Sequence, residues 1–285
     1  MSRIAYVNGR YEPHRGAMVH IEDRGFQFAD GVYEVCEVRG GRLVDESRHM
    51  TRLDRSLGEL RMAPAVGRAA LAVILREVVT RNLVETGFVY VQMTRGAAAR
   101  DFPFPGPDVR GTLVVTARSS NPDKLRANAE KGVKVISLPD LRWKRRDIKS
   151  VSLLPNVLAK QAARDAGAFE AWLVDEAGFV TEGASSNAWI ITPAGKLVTR
   201  AANHEILRGV TRTTLIDLLA RERLGFEERA FTVQEAQGAR EAFLSSATNL
   251  ALAVVSIDGK AVGDGSPGPV TTGLRAKFHE NAEIG

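Results

Sequence analysis

Lysine is scarce in this chain: nine lysines stand against thirty arginines, and none precedes Lys124. A guanidinium stays charged, whereas a lysine amine can lose its proton and attack a carbonyl, so a lysine among arginines is a candidate nucleophile. The stretch RRDIKSVSLLPNVLAKQ, residues 145–161, holds two of them, Lys149 and Lys160. Lys160 falls inside a predicted helix beside Gln161 and Arg164, the pattern of a cation facing solvent. Lys149 ends the triplet DIK ahead of a short extended run, and strand parity puts its side chain on one face with Val151 and Leu153. An ammonium among apolar neighbours finds an acid, snorkels or loses its charge. Glu182, in VTEGASSNAWII (residues 180–191), stands at a strand exit before a cluster of small hydroxyl and amide groups. Such an acid either caps its loop or holds a heteroaromatic nitrogen protonated.

Other chemistries find little support. The histidines at 14, 20, 49, 204 and 279 are scattered, no pair has ligand spacing, and Cys36 stands alone, so no metal centre is expected. EGASSN is not a nucleophile elbow. There is no GxGxxG after a strand and no P-loop, which leaves dinucleotide and ATP readings without a basis.

The elements that must carry these residues alternate between β and α. IAYVNGRYEP holds an Asn8-Gly9 hairpin turn, and GVYEVCEVRGGRLV repeats the signal at Gly40-Gly41. Period two puts Tyr33, Val35 and Glu37 on one strand face and Glu34, Cys36 and Val38 on the other. Ser47 is expected to cap a helix through about Arg61, with Met50, Leu53, Leu57 and Leu60 on one side. A second helix is predicted over 67–85, with Leu71, Ile74, Leu75, Val78 and Val79 at core spacing. FVYVQMTR and GTLVVTAR read as strands around the loop DFPFPGPD. Composition shifts at RSSNPDK, giving an expected N-terminal α+β domain over 1–118, a linker at 119–124 and a C-terminal domain over 125–285. That domain is predicted to hold helices from about Pro155, over 211–224 and near 270–282, with strands between them.

Bulk properties narrow the class. At 285 residues with 44% hydrophobic and 26% charged, the chain is an ordinary globular one. The N-terminus carries charges and lacks an apolar core, and Arg76 and Glu77 interrupt the longest apolar region, so no membrane span is expected. A single cysteine fits a reducing compartment, and the expected location is the cytoplasm. The net charge of +5 invites a nucleic-acid reading, best placed at RWKRR (142–146), where Trp143 could stack on a base. Basic residues elsewhere are dispersed among acids, which favours a solvated loop or a small anionic ligand there, and no nucleic-acid partner.

Pyridoxal 5'-phosphate asks three things of a protein: a lysine for the Schiff base, a partner for the pyridine nitrogen, and donors for the phosphate. Lys149 and Glu182 match the first two, and Arg52, Thr211 and the hydroxyls of Ser245 and Ser246 are candidates for the third. The blocks DRGFQFADGVYEV, HMTRL, TRG followed by RDFPFP, RRDIKSVSLLPNVLAKQ, TEGASSN, ILRGVTR and FLSSATN occur in this order. Together they resemble the class IV (fold type IV) pyridoxal-phosphate aminotransferases, and among them the D-amino-acid transaminases, from Tyr6 to about Gly259.

The resemblance implies a mixed α+β, two-domain D-amino-acid-aminotransferase-like fold, with a small N-terminal α/β domain and a larger C-terminal pseudo-barrel domain. It implies transamination between D-amino acids such as D-alanine and α-keto acids such as 2-oxoglutarate or pyruvate, ping-pong through an internal aldimine on Lys149. Glu182 then partners the pyridine nitrogen, and Arg52 binds the phosphate, which suits a bidentate guanidinium. Val210 and Thr211 add phosphate donors, as do Ser246 and Ala247, where the family often has a hydroxyl in place of Ala247. Leu207 packs on the ring, Ser185 bridges the site, and Tyr33 and Arg100 bind the substrate α-carboxylate. A homodimer is implied as well. Two positions depart from the pattern: Phe102 stands where a carboxylate-trapping histidine is common, and Glu37 where a basic residue is often found. Both weaken carboxylate binding unless Glu37 pairs with Arg100. The same cofactor chemistry also serves R-selective amine transaminases, branched-chain aminotransferases and aminodeoxychorismate lyase. Outside enzymes, nucleic-acid binding through 142–146 is the alternative.

Overall fold

A computed structural model describes residues 3–285. The chain divides into two units, the first taking residues up to Asn121 with Ile148–Ser152 and Glu283–Gly285, the second Pro122–Asp147 and Leu153–Ala282.

In the first unit the order is β1 (Ile4–Val7), β2 (Arg10–Pro13), α1 (Arg24–Phe28), β3 (Gly31–Arg39), β4 (Arg42–Leu43), α2 (Glu46–Glu59), α3 (Arg68–Arg81), β5 (Thr86–Thr94) and β6 (Thr112–Ser119). The strands form a six-stranded sheet in the order β2-β1-β6-β5-β3-β4. All its pairs are antiparallel. Alternation along β3, β5 and β6 sends Val32, Cys36, Val38, Val89, Val91, Met93, Leu113, Val115 and Ala117 into one core. Helices α2 and α3 close that core with Met50, Leu53 and Leu57, and with Leu71, Ile74, Leu75, Val78 and Val79. Each such side chain stabilises the fold by roughly 1.5–3 kcal/mol on burial. The helix expected to start after Ser47 begins two residues earlier, with Asp45 at its N-cap, and Leu60 ends up half-buried at the C-cap. Tyr33, Val35 and Glu37 occupy the other, half-buried face of β3, as period two requires.

The second unit runs α4 (Pro122–Lys131), β7 (Val133–Pro139), α5 (Leu154–Asp165), β8 (Glu170–Val174), β9 (Val180–Gly183), β10 (Asn187–Ile191), β11 (Leu197–Thr199), α6 (Val210–Arg221), β12 (Phe226–Glu228), α7 (Val233–Gln237), β13 (Glu241–Ser246), β14 (Leu250–Ile257), β15 (Lys260–Ala261) and α8 (Pro269–Asn281). Its nine-stranded sheet runs β12-β11-β10-β13-β14-β7-β8-β9, with β15 added on β14. Every residue of β10 is buried, as both faces of the strand are covered. Ala188 and Ile190 join Val133, Trp172 and Leu244 in one core, while Trp189 stacks on Phe243 with ring centroids 5.3 Å apart. The mixture of helix and strand is the expected one. Helix α4 replaces part of the expected linker: of the 119–124 segment, Ser119 ends β6 and Pro122 opens α4. Proline favours that first-turn position, and the sequence reads polar there because α4 buries none of its residues.

Candidate active site

Within the first unit, the chain around Lys149 pairs with the start of β3. Tyr33 N donates to Lys149 O at 3.0 Å, Val151 N donates to Gly31 O at 3.0 Å, and Val32 and Ser150 form an antiparallel bridge. Lys149 N also donates to Ser56 Oγ of α2 at 3.3 Å. These bonds fix the lysine backbone, and its Nζ stands 4.2 Å from the centroid of the Tyr33 ring. An ammonium over an aromatic face gains about 0.5–2 kcal/mol. Tyr33 in turn stacks on Tyr90 at 5.6 Å, and Tyr90 donates to Gln92 Oε1 at 2.6 Å. Burial, with the nearby Tyr33, pushes the Tyr90 phenol well up, so it stays a hydrogen-bond donor at neutral pH.

On the core side of β3, Glu34 is fully buried and faces two residues of α2. Arg52 donates from Nε to Oε1 and from Nη2 to Oε2, both at 2.7 Å, and His49 Nδ1 lies 2.8 Å from Oε2. Burial raises the carboxyl, but Arg52 and His49 win and hold it at about 2. The expected phosphate ligand Arg52 is thus gripped along one edge by an acid to which the sequence assigns no role.

The substrate candidates make different contacts within this unit. The Arg100 guanidinium lies 4.6 Å from the Phe28 ring, and the Phe102 ring is 5.6 Å from the same ring. Phe102 is 80% exposed. Arg24 ties this loop down, donating to Asp101 O at 2.6 Å and Phe102 O at 3.2 Å. Glu37 lies on β3 opposite Phe88 of β5.

In the second unit the buried Glu182 ends a chain of charges. Arg142 Nη1 donates to Oε1 at 2.6 Å, Asn187 Nδ2 to Oε2 at 2.9 Å, and Leu207 N reaches both oxygens at 3.2 Å. Arg142 also grips Asp140, from Nε to Oδ1 at 2.9 Å and from Nη2 to Oδ2 at 2.8 Å, and Thr181 Oγ1 donates to Asp140 Oδ2 at 2.7 Å. Burial pushes the Glu182 carboxyl up against the pull of Arg142. Burial alone would lower the Arg142 guanidinium, but Glu182 and Asp140 raise it, so it stays charged.

This network departs from the solvated-loop reading of RWKRR. Arg142 faces Glu182 and Asp140, Arg146 Nε is 3.3 Å from Asp140, and Arg145 Nε is 3.0 Å from Asp147. Three of its four cations are thereby committed to internal acids, and the segment is no basic stripe for a nucleic acid. Nothing in the sequence ties Arg142 or Asn187 to Glu182. The available signal was local: Asn187 closes the TEGASSN block, on the strand after Glu182.

Asn187 gathers the remaining candidates. Its Nδ2 donates to Leu207 O at 2.9 Å, and on β10 it pairs with Ser245 of β13, next to Ser246 and Ala247. Gly209 caps α6, and a Cβ there would run into Asn187 Oδ1. No side chain caps α6, so the first-turn amides of Val210 and Thr211 keep their donor capacity, and the helix dipole adds positive potential. Ser246 Oγ accepts from Asn249 Nδ2 at 3.1 Å in the turn after β13. Ser185 points elsewhere: its N and Oγ both donate to Glu170 Oε2, at 3.2 and 2.6 Å. Lys160 is likewise not a free surface cation. It donates to Phe169 O at 2.6 Å and pairs with Glu170 at 3.3 Å. Helical spacing alone could not reveal that acid across the β8 edge.

These groups fit the cofactor expected from the sequence. An ionised carboxylate has about four acceptor sites. Three protein donors meet Glu182, so its oxygens can take one more N–H, and a cationic ring nitrogen would offset its burial. A helix N-terminus without a side-chain cap suits a phosphate, and Lys149 supplies an anchored amine. Among the described residues no group of three or more histidine, cysteine or acidic side chains could hold a metal ion, and no helix is long and apolar enough to cross a membrane.

Comparison with known proteins agrees with this reading. The family model for amino-transferase class IV matches residues 31–257. A D-alanine aminotransferase of Staphylococcus haemolyticus is 37% identical over 278 residues, covering 98% of this chain and 97% of its own. A D-alanine aminotransferase of Bacillus licheniformis is 38% identical over 274 residues, covering 96% and 95%. In fold the chain is similar to a hypothetical aminotransferase from Mycobacterium tuberculosis solved in its pyridoxal-phosphate-bound form. The TM-score is 0.82 at 23% identity, over 97% of this chain and 98% of that one. A likeness at that identity speaks for the fold alone; the full-length match at 37–38% and the family model decide the rest. The chain belongs to the class IV aminotransferase family.

Proposed function

We propose that this protein catalyses transamination between D-amino acids, D-alanine among them, and α-keto acids, with pyridoxal 5'-phosphate as cofactor. The observation that carries the cofactor reading is the Glu182 carboxylate, buried and aimed by Arg142, Asn187 and Leu207 N while retaining acceptor capacity. Full-length likeness to D-alanine aminotransferases supports the donor. When bound, pyridoxal 5'-phosphate supplies an aldehyde that condenses with amines and a protonated ring that absorbs charge released at the substrate Cα. Lys149 Nζ would hold that aldehyde and, when free, would carry the proton to and from the substrate Cα. Glu182 keeps a proton on the ring nitrogen. Arg52, the amides of Val210 and Thr211 and those of Ser246 and Ala247 would bind the phosphate, and Leu207 would pack on the ring. Ser185 acts at one remove, by fixing the loop after Glu182 through Glu170.

Tyr33 and Arg100 receive the substrate carboxylate, with Glu37 and Phe102 shaping the side-chain preference. The partners are then small amino donors and keto acids. Exposed Met18, Ile21 and Phe26 in the first unit, and Leu154, Val157 and Leu158 along α5, support a homodimer. One buried cysteine supports a cytoplasmic location.

Half-reactions of the purified protein with D-alanine, L-alanine, L-leucine and (R)-phenylethylamine test the proposal, read as loss of the violet-edge absorbance. D-alanine is expected to bleach it fastest, and Lys149→Ala to give a colourless protein. Bleaching by the L-amino acids alone would sink D-specificity. A preference for (R)-phenylethylamine would assign the amine branch, and a wild type that takes up no cofactor would end the transaminase reading.

A further inference from the structure

Glu34 alternates with Val32, Cys36 and Val38 on the core face of β3, where an unpaired carboxylate would be prohibitive. Three donors meet it, all from α2. Arg52 presents its Nε–Nη2 edge at 2.7 and 2.7 Å, and His49, three residues earlier on the same helix face, lies 2.8 Å from Oε2. A fork that engages both carboxylate oxygens fixes the guanidinium plane, not just its position, and so fixes the direction of Nη1. Two residues tie this arginine to the candidate lysine. Ser56, one turn beyond Arg52, accepts from Lys149 N. Tyr33, adjacent to Glu34 on β3, carries the Lys149 ammonium over its ring.

We propose that Glu34 is a positioning residue for cofactor binding: it aims Arg52 at the phosphate, and His49 holds Glu34 in turn. The inference rests on the pyridoxal-phosphate reading and on Arg52 as a phosphate ligand. Glu34 itself touches neither cofactor nor substrate. A purely structural ion pair would stabilise the unit without caring whether a phosphate is bound. A positioning pair affects phosphate-bearing ligands and spares the rest.

The test is equilibrium binding of pyridoxal 5'-phosphate and of phosphate-free pyridoxal to cofactor-free wild type, Arg52→Ala and Glu34→Gln, followed by the absorbance of the ligand on Lys149. Glutamine keeps the shape but can no longer take the fork. Losing one charge-assisted contact corresponds to about ten- to hundredfold in affinity. Glu34→Gln is therefore expected to weaken the phosphorylated ligand by at least tenfold with pyridoxal unchanged, so the ratio of the two constants falls towards that of Arg52→Ala. An unchanged ratio in Glu34→Gln, or an equal loss for both ligands, overturns the proposal. Wild type that binds neither ligand refutes the cofactor reading instead, and an unchanged ratio in Arg52→Ala removes the arginine's assignment. If Glu34→Gln does not fold, His49→Gln is measured on the same two ligands. A severalfold fall in the ratio is expected there, and none would overturn the proposal.

Discussion

Arg142 and Arg146 lie in the most basic stretch of the chain, yet both turn inward to Asp140, and Arg142 continues to Glu182. At the scale of the residue, acids gain their meaning from the cation each one meets. Burial raises Glu182, and Arg142 opposes it. Arg142→Gln removes that opposition, so the carboxyl rises further. In its proposed role only the Glu182 carboxylate keeps the ring nitrogen protonated; that form exists above the pKa of Glu182 and is lost as pH falls through it. The acid limb of the kcat–pH profile is therefore expected to move to higher pH in Arg142→Gln, with kcat at pH 7 down on the order of tenfold. An unmoved acid limb would show that Arg142 only braces the fold. Glu34 is the opposite case: a fork from Arg52 and a contact from His49 overcome complete burial, and the group stays ionised down to about 2.

Elements carry these residues to their places through close approaches that tolerate little added bulk. Helix α6 begins at Val210 because Gly209, with φ −60° and ψ 137°, brings the chain against Asn187 and leaves the first-turn amides uncapped. Its φ lies in the region any residue adopts, so the glycine is required by space and not by backbone strain. Gly209→Ala is expected to displace Asn187 or the helix start. The displacement should weaken binding of pyridoxal 5'-phosphate about tenfold while leaving thermal stability within a few degrees of wild type. Fluorescence titration of the cofactor-free variant measures the first and a melting curve the second; unchanged affinity would remove α6 from the phosphate site. Helix α8 starts differently. Its amides at Val270 and Thr271 donate to the buried Glu241 at 3.0 and 2.9 Å, so that helix N-terminus is already satisfied by protein.

For the whole molecule, the apolar side chains left outside mark what the single chain does not cover. Met18, Ile21, Phe26 and Phe102 are each more than 70% exposed, and Leu154, Val157 and Leu158 form a stripe at helical spacing on α5. Sedimentation is expected to give a dimer for the wild type and a substantially larger monomer fraction for Phe26→Asp; a monomeric wild type at micromolar concentration would refute it. Periodicity alone determined the faces of β3 and the five core positions of α3, since those depend on local spacing against one core, but not the element ends: α3 stops at Arg81 and not at 85, and α6 at Arg221 and not at 224. The ordered blocks likewise pointed to the family. Arg52 and Glu182 could be named in the sequence, but Glu34, Arg142 and Asn187 could not. Their partners lie 18, 40 and 5 residues away, and a charge reads as surface until its counter-charge is found. Lys149 shows the limit most plainly. Rarity and context marked it out, but only tertiary structure laid residues 149–151 beside β3 and put the amine over Tyr33, because strand pairing joins segments more than a hundred residues apart.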